Sequence, residues 1–166
     1  ADLGAGLNRS APIGIPYTVV TPSTPGVTFK FKYPDESDVG PYPIPRDAPV
    51  EGGKHGRGDR HVLAVDSGSC NLYEVFGFKS KKKVTAKWKG GSGAIWDLNS
   101  NALRPADWTS ADAAGLPILP GLIRYDEILA GAVTHAVRFT VSPSQRAYLW
   151  PARHFASSST EPMPWR

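Results

Sequence analysis

Two carboxylates and two histidines occupy positions from which alternating strands could bring them to one surface: Glu74, Asp97, His61 and His135. Glycoside hydrolysis needs such a carboxylate pair, one protonated as the acid and one ionised as base or nucleophile, across a sugar-sized gap. Glu74 lies in a run, Asn71 to Phe78, where Leu72, Glu74 and Phe76 share one strand face and Tyr73 and Val75 the other. Desolvation on an apolar face raises a carboxyl pKa, which suits a general acid. Asp97 follows Trp96 near the end of a later strand and is the second member. His61 alternates with Leu63 and Val65, and His135 with Val137, Phe139 and Val141, so either imidazole could assist. The plainer alternatives stay open. Glu74 could pair with Arg138 or Arg153 in the core, and each histidine could be a buried ring bonded to backbone or carboxylate. His61, His135 and Glu74 are also the ligand types of a two-histidine, one-carboxylate metal site, but they come from three separate strands with no short ligand spacing. The expectation is therefore no metal and no cofactor.

Ligand contacts are expected from residues 93 to 127, where Trp96, Trp108 and Tyr125 stand among Asp97, Asp107, Asp112, Asp126 and Glu127. Sugar rings stack on exposed aromatic faces while carboxylates, amides and arginine take the hydroxyls. Trp96, Trp108, Tyr125, Asp112 and Arg138 are the expected binding residues. Their structural alternatives are packed tryptophans, Asp112 in the first turn of a helical segment over 109–115, and Asp126-Glu127 opening a second short helix ended by Gly131. Trp88 alternates with Val84 and Ala86 and is expected in the core. Other chemistries find little support. No Gly-x-Ser-x-Gly elbow is present. Gly90-Gly-Ser-Gly93 lacks the Gly-Lys-Ser/Thr ending of a phosphate loop. Cys70 leads into an apolar strand without an activating neighbour.

The elements that must position these groups are short. Sixteen prolines and 17 glycines in 166 residues favour turns and short strands over long helices. Strands are expected over Ile15–Val20, Val27–Tyr33, Arg60–Asp66, Asn71–Phe78, Val84–Lys89, Gly93–Leu98, Thr134–Ser142 and Ala147–Trp150. Between the second and third lies an excursion, 34–59, with five prolines and five glycines, a loop long enough to carry function. This pattern predicts an all-β fold, a jelly-roll-like β-sandwich with one or two short helices, as a single domain over 1–156 with a flexible tail over 157–166.

The net charge of +4 is local, since six of the nine lysines fall between Lys79 and Lys89. Such a cluster reads as a charged hairpin that blunts a sheet edge, or as a contact for an anionic polymer. It is no general nucleic-acid footprint, and no specific nucleic-acid partner is expected. A single cysteine excludes an intrachain disulfide, and no apolar run approaches the roughly 18 residues of a spanning helix. The start of the chain fits a mature end after signal removal, and Asn8-Arg9-Ser10 is a glycosylation sequon.

Five segments carry a resemblance: Asp59-Arg-His-Val-Leu-Ala-Val-Asp66, Leu72-Tyr-Glu74, the run from Gly93 to Pro105, the run from Trp108 to Glu127, and Trp150-Pro-Ala-Arg-His-Phe-Ala-Ser157. The pattern resembles a group of uncharacterised secreted microbial proteins over most of residues 12 to 163. The resemblance implies a secreted, extracellular setting, and a shortened relative or fragment, because the group continues past the Pro-Met segment near Arg166. It implies no catalytic residue. The functional expectation is a secreted protein directed at a polysaccharide or cell-surface glycan, as a glycoside hydrolase using Glu74 and Asp97. The alternatives are a non-catalytic carbohydrate-binding module and a structural, self-assembling extracellular protein. Converging carboxylates would mark the first. An aromatic platform would mark the second. A buried 93–127 block with large exposed apolar patches would mark the third.

Overall fold

The computed structural model describes residues 6–8, 11–53, 55–79, 88–141 and 144–160. Eight short strands form within them: β1 (Gly6–Asn8), β2 (Ala11–Ile13), β3 (Tyr17–Val20), β4 (Phe29–Phe31), β5 (Val62–Asp66), β6 (Asn71–Phe76), β7 (Trp88–Gly90) and β8 (Ser92–Asp97). One α-helix, α1 (Tyr125–Ala130), and two 3-10 turns, Pro34–Glu36 and Leu119–Gly121, complete the regular structure. The described residues are thus β-rich, with mixed sheets and a single short helix.

The central sheet has the order β3-β5-β6-β8, with β3 and β5 parallel and the other neighbours antiparallel. Its register settles which side chains share a face, because side chains alternate along each strand. Glu74 pairs with Leu63 and Ala94, while Tyr73 pairs with Ala64 and Ile95. One face therefore carries Val20, Val62, Ala64, Tyr73, Val75 and Ile95, and β4 with β7 covers it through Phe29, Phe31 and Trp88. The rings meet edge to face, with Phe29 5.8 Å from Trp88 and Phe31 5.7 Å from Tyr42, the arrangement that ring quadrupoles favour. Gly93 permits this approach: a Cβ there would lie 2.4 Å from the Phe31 ring and 2.5 Å from the Tyr42 hydroxyl.

The other face carries Leu63, Leu72, Ala94, Trp96 and Glu74, and it is covered by irregular chain. Ala111, Ile118, Leu119 and Leu122 pack on it. The helical segment expected over 109–115 forms turns instead, since Gly115 adopts a left-handed φ of 70° and Pro117 follows. The strands expected over 134–142 and 147–150 do not form among the described residues. Their alternating side chains find no sheet to cover, and Phe139, Val141, Leu149 and Trp150 stand exposed. The second short helix forms as α1. Glu127 accepts the Arg124 N–H at 2.8 Å, half of a capping box, and Gly131 closes the helix at φ 70°. Lys79 and Lys89 pair through their backbones, while the lysine-rich tip, strand residues 84–87, the Asn8-Arg9-Ser10 sequon beyond Asn8, and tail residues 161–166 lie outside the described residues. No helix among the described residues is long and apolar enough to cross a membrane.

Candidate functional site

Glu74 is fully buried, and neighbouring backbone occupies its carboxylate. Ile118 N–H donates to both oxygens at 2.9 and 3.0 Å, Leu119 N–H to Oε1 at 3.0 Å, and the Trp96 indole to Oε2 at 3.3 Å. The two backbone donors belong to the open end of the Leu119–Gly121 turn, so the side chain caps that turn from the sheet. Burial pushes the Glu74 pKa up to about 7, against the opposing pull of the Leu119 and Ile118 N–H groups, the indole and the nearby His61. Asp97 lies on the opposite sheet face, paired with Asn71, and is exposed. Its Oδ1 accepts from Asn99 N–H and from the Asn99 amide, closing the turn after β8. The expected catalytic pair is therefore not brought together: strand alternation sends the two carboxylates to opposite sides of one sheet. Neither arginine proposed as a partner meets Glu74. Arg138 pairs with Asp112, and Arg153 donates to the Arg104 carbonyl.

The two histidines also part. His61 is buried against Phe76, with Nδ1 2.7 Å from Glu51 Oε2 and Nε2 3.0 Å from the Ala111 carbonyl. Burial alone would lower its pKa, but the Glu51 hydrogen bond and charge, the Ala111 carbonyl and Asp59 together hold it above 6.5. His135 belongs to a different cluster. Its Nε2 lies 2.8 Å from Glu127 Oε1, an ion-pair contact outside hydrogen-bond geometry, and its Nδ1 meets the Ala136 carbonyl. Among the described residues, no group of three or more His, Cys, Asp or Glu side chains is placed to hold a metal ion.

Of the expected binding residues, Asp112 and Arg138 share a cavity. They line a cleft of about 670 Å³ between the turn at 109–114 and the segments 138–141 and 144–158, with His61, Phe76 and Ser92 also in its wall. Tyr33, Phe139 and Phe155 give it apolar surface, and His154 stacks on Phe155 at 4.4 Å. Arg138 Nε donates to Asp112 Oδ2, while Asp112 Oδ1 accepts from Ala114 N–H at 3.0 Å. The carboxylate thus shapes the rim and holds the arginine at once. The rim carbonyls are all engaged. Each carbonyl from Thr109 to Ala114 accepts a hydrogen bond, in order from Arg104, Ser92, His61, Gly115, His154 and Arg153. Volume, mixed polarity and a braced rim suit a small polar ligand.

The tryptophans and Tyr125 do not line this cleft. Trp96 is 8% exposed and packs in the sheet, and Tyr125 projects 74% exposed from α1. Trp108 is half-buried against Arg104, the residue that sequence reasoning missed. Its guanidinium lies 5.5 Å from the Trp96 ring and 5.3 Å from the Trp108 ring. It donates to Asp38 Oδ2 at 2.5 Å, the Glu36 carbonyl at 2.9 Å and the Thr109 carbonyl at 2.8 Å. Asp38 in turn accepts the Ile95 N–H of β8 at 2.8 Å. Arginine flanked by Trp96 and Trp108 was a usable signal for cation–π packing; nothing local pointed to Asp38, 66 residues away. The chain matches no protein-family model, no curated protein and no solved structure.

Proposed function

We propose that this chain is a non-catalytic recognition protein that takes a polysaccharide or cell-surface glycan in the 670 Å³ cleft. The observation that carries the reading is the cleft lining: Asp112 and Arg138 offer an acceptor and a donor beside the rings of Phe139, Phe155 and Tyr33. Hydroxyl-bearing rings need that combination, with polar groups fixing orientation and aromatics supplying contact area. A hydrolase reading with Glu74 and Asp97 has no support in their placement, since one is sealed in the core and the other faces away. Secretion belongs to the same proposal and rests on the sequence resemblance. So does a β-sandwich architecture, with β4–β7 as the start of a second layer over the central sheet, a reading supported by the Phe29, Phe31 and Trp88 packing.

The test is retention of the wild type and Phe139→Ser on immobilised xylan, β-glucan and polygalacturonate, with soluble sugar measured in parallel. Phe139 is 64% exposed, so its replacement leaves the core intact. Retention by the wild type alone, without released sugar, is the expected result. Sugar release would return the reading to an enzyme, and equal retention of both proteins would move the site elsewhere.

Self-association is a second reading, favoured by one specific observation. Tyr125, Ile128 and Leu129 form one stripe of α1 at 60–74% exposure, and Leu149 and Trp150 are 87% and 79% exposed. So much apolar surface is unusual on a monomer. Part of the 93–127 block is buried, Trp96, Arg104 and Ile118 included. Sedimentation of the wild type beside Leu149→Ser/Trp150→Ser would expose a concentration-dependent assembly that the variant lacks.

A further inference from the structure

The rim of the cleft hangs on an imidazole that has two acceptors and no donor to meet. A carbonyl can only accept, so the 3.0 Å contact to Ala111 requires a proton on Nε2 of His61. Glu51, on the other side, is held ionised: burial would raise its pKa, but its hydrogen bonds to the His61 ring and backbone N–H outweigh that and lower it. Its Oε2 accepts the His61 backbone N–H at 3.1 Å and faces Nδ1 at 2.7 Å, which requires a proton on Nδ1 too. Both contacts are made only by the imidazolium. The charged groups that face this ring are Glu51 and Asp59 from the preceding loop and Glu74 from β6, while Arg138 faces Glu51 from the far side of the cleft. Three carboxyl groups thus surround one cation.

We propose that His61 is a pH-operated latch on the cleft: as the imidazolium it ties the 109–114 rim to Glu51 and the sheet, and on losing its proton it releases the rim. The neutral ring keeps its remaining proton toward the charged Glu51, so Nε2 turns a lone pair on the Ala111 carbonyl. Attraction becomes repulsion at a 3.0 Å separation. The neighbouring rim carbonyls keep their donors from Arg104, Ser92 and Arg153, so the loss is a local loosening at Ala111 and not unfolding. His154, which holds Ala113 through Nδ1 at 2.9 Å, needs only one proton and keeps its grip when neutral. The latch is closed below the ordinary histidine value and opens as pH rises through the elevated value of His61 in the fold. The consequence for glycan capture rests on the proposed function above, whereas the latch does not.

The experiment therefore has two independent arms on the full chain. Hydrogen exchange is followed at the Asp112, Ala114 and Gly115 amides between pH 5.5 and 8.5, corrected for intrinsic exchange, beside the NMR titration of the His61 ring. Protection at the rim is expected to fall by about tenfold, the weight of one lost buried hydrogen bond, with a midpoint that tracks the His61 titration. Glu51→Gln, a change at a partly exposed site, is expected to move both midpoints to lower pH together. Rim protection that stays flat through the His61 titration overturns the proposal, and so does a midpoint in Glu51→Gln that moves for one probe and not the other. In the second arm, retention on xylan, β-glucan and polygalacturonate is compared at pH 5.5 and 8.5. Failure to bind at either pH, with the exchange result intact, removes the glycan reading and leaves the latch standing.

Discussion

Replacing Glu74 by glutamine changes one atom and tests the account of the buried carboxyl directly. The folded pKa of about 7 lies above the ordinary 4.5, so between those values the folded chain holds a proton that the unfolded chain has released. Stability is then fully present below 4.5 and is lost as pH rises through 7. Linkage converts the difference to about 3 kcal/mol, or about 6–12 °C of Tm for a chain this long. The Glu74→Gln chain has no proton to lose there, so that part of the slope disappears. It carries a different defect. The amide oxygen can serve Ile118 and Leu119, but the amide NH₂ is turned on the Trp96 indole N–H, an opposed donor pair worth about 1–3 kcal/mol. Thermal unfolding of both proteins from pH 4.5 to 8.5 should show the variant less stable at acid pH and the curves converging toward pH 8. His61 also favours the acidic side in both proteins, so the informative quantity is the difference between the curves. A constant difference across the whole range would refute the assignment of a raised pKa to Glu74.

Arg104→Met should destabilise by about 3–5 kcal/mol, because it strands Asp38 without its cation; chemical denaturation reads this, and Asp38→Asn in the same background should recover part of the loss. Gly93→Ala should cost about 1–3 kcal/mol through overpacking against Phe31 and Tyr42, and a denaturation midpoint within error of wild type would contradict the ring placement. Phe139→Ser should abolish glycan retention with Tm unchanged. Gly131→Ala should lower stability by about 1 kcal/mol through its left-handed φ, with the loss read as fraying of α1 by hydrogen exchange.

Local patterns foretold local structure. The alternation around Leu72, Glu74 and Phe76 identified β6 and its faces, Trp88 was recognised as core, and the Tyr125–Ala130 helix was legible because its acidic first turn and its closing glycine are adjacent in the chain. What misled was the same alternation over His135, Val137, Phe139 and Val141: period two states that a strand is possible, while pairing depends on a partner edge that periodicity does not encode. The candidate site was less legible still. Asp112 and Arg138 were named, yet the cleft they line depends on His61, Ser92 and His154, brought together over separations of 18 to 50 residues. Glu74 read as an acid because burial raises a carboxyl pKa whatever the carboxyl does; only its two backbone N–H donors, supplied by a proline-flanked turn 44 residues on, reveal a cap.

The covering layer at 104–122 has a consequence for the order in which the molecule assembles. The β5–β6 hairpin closes over a four-residue turn, whereas the ties from the layer to Glu74, His61 and Asp38 span 44, 50 and 66 residues of chain. Loop closure of that length adds entropy cost that contacts recover only once both ends are in place. We expect the central sheet to form first and the layer to dock last, leaving a transient species with Leu63, Leu72 and Trp96 uncovered. Stopped-flow fluorescence of Trp96, with the other tryptophans replaced by phenylalanine, should then lag behind the far-ultraviolet signal of the strands; simultaneous changes would argue for a single concerted step.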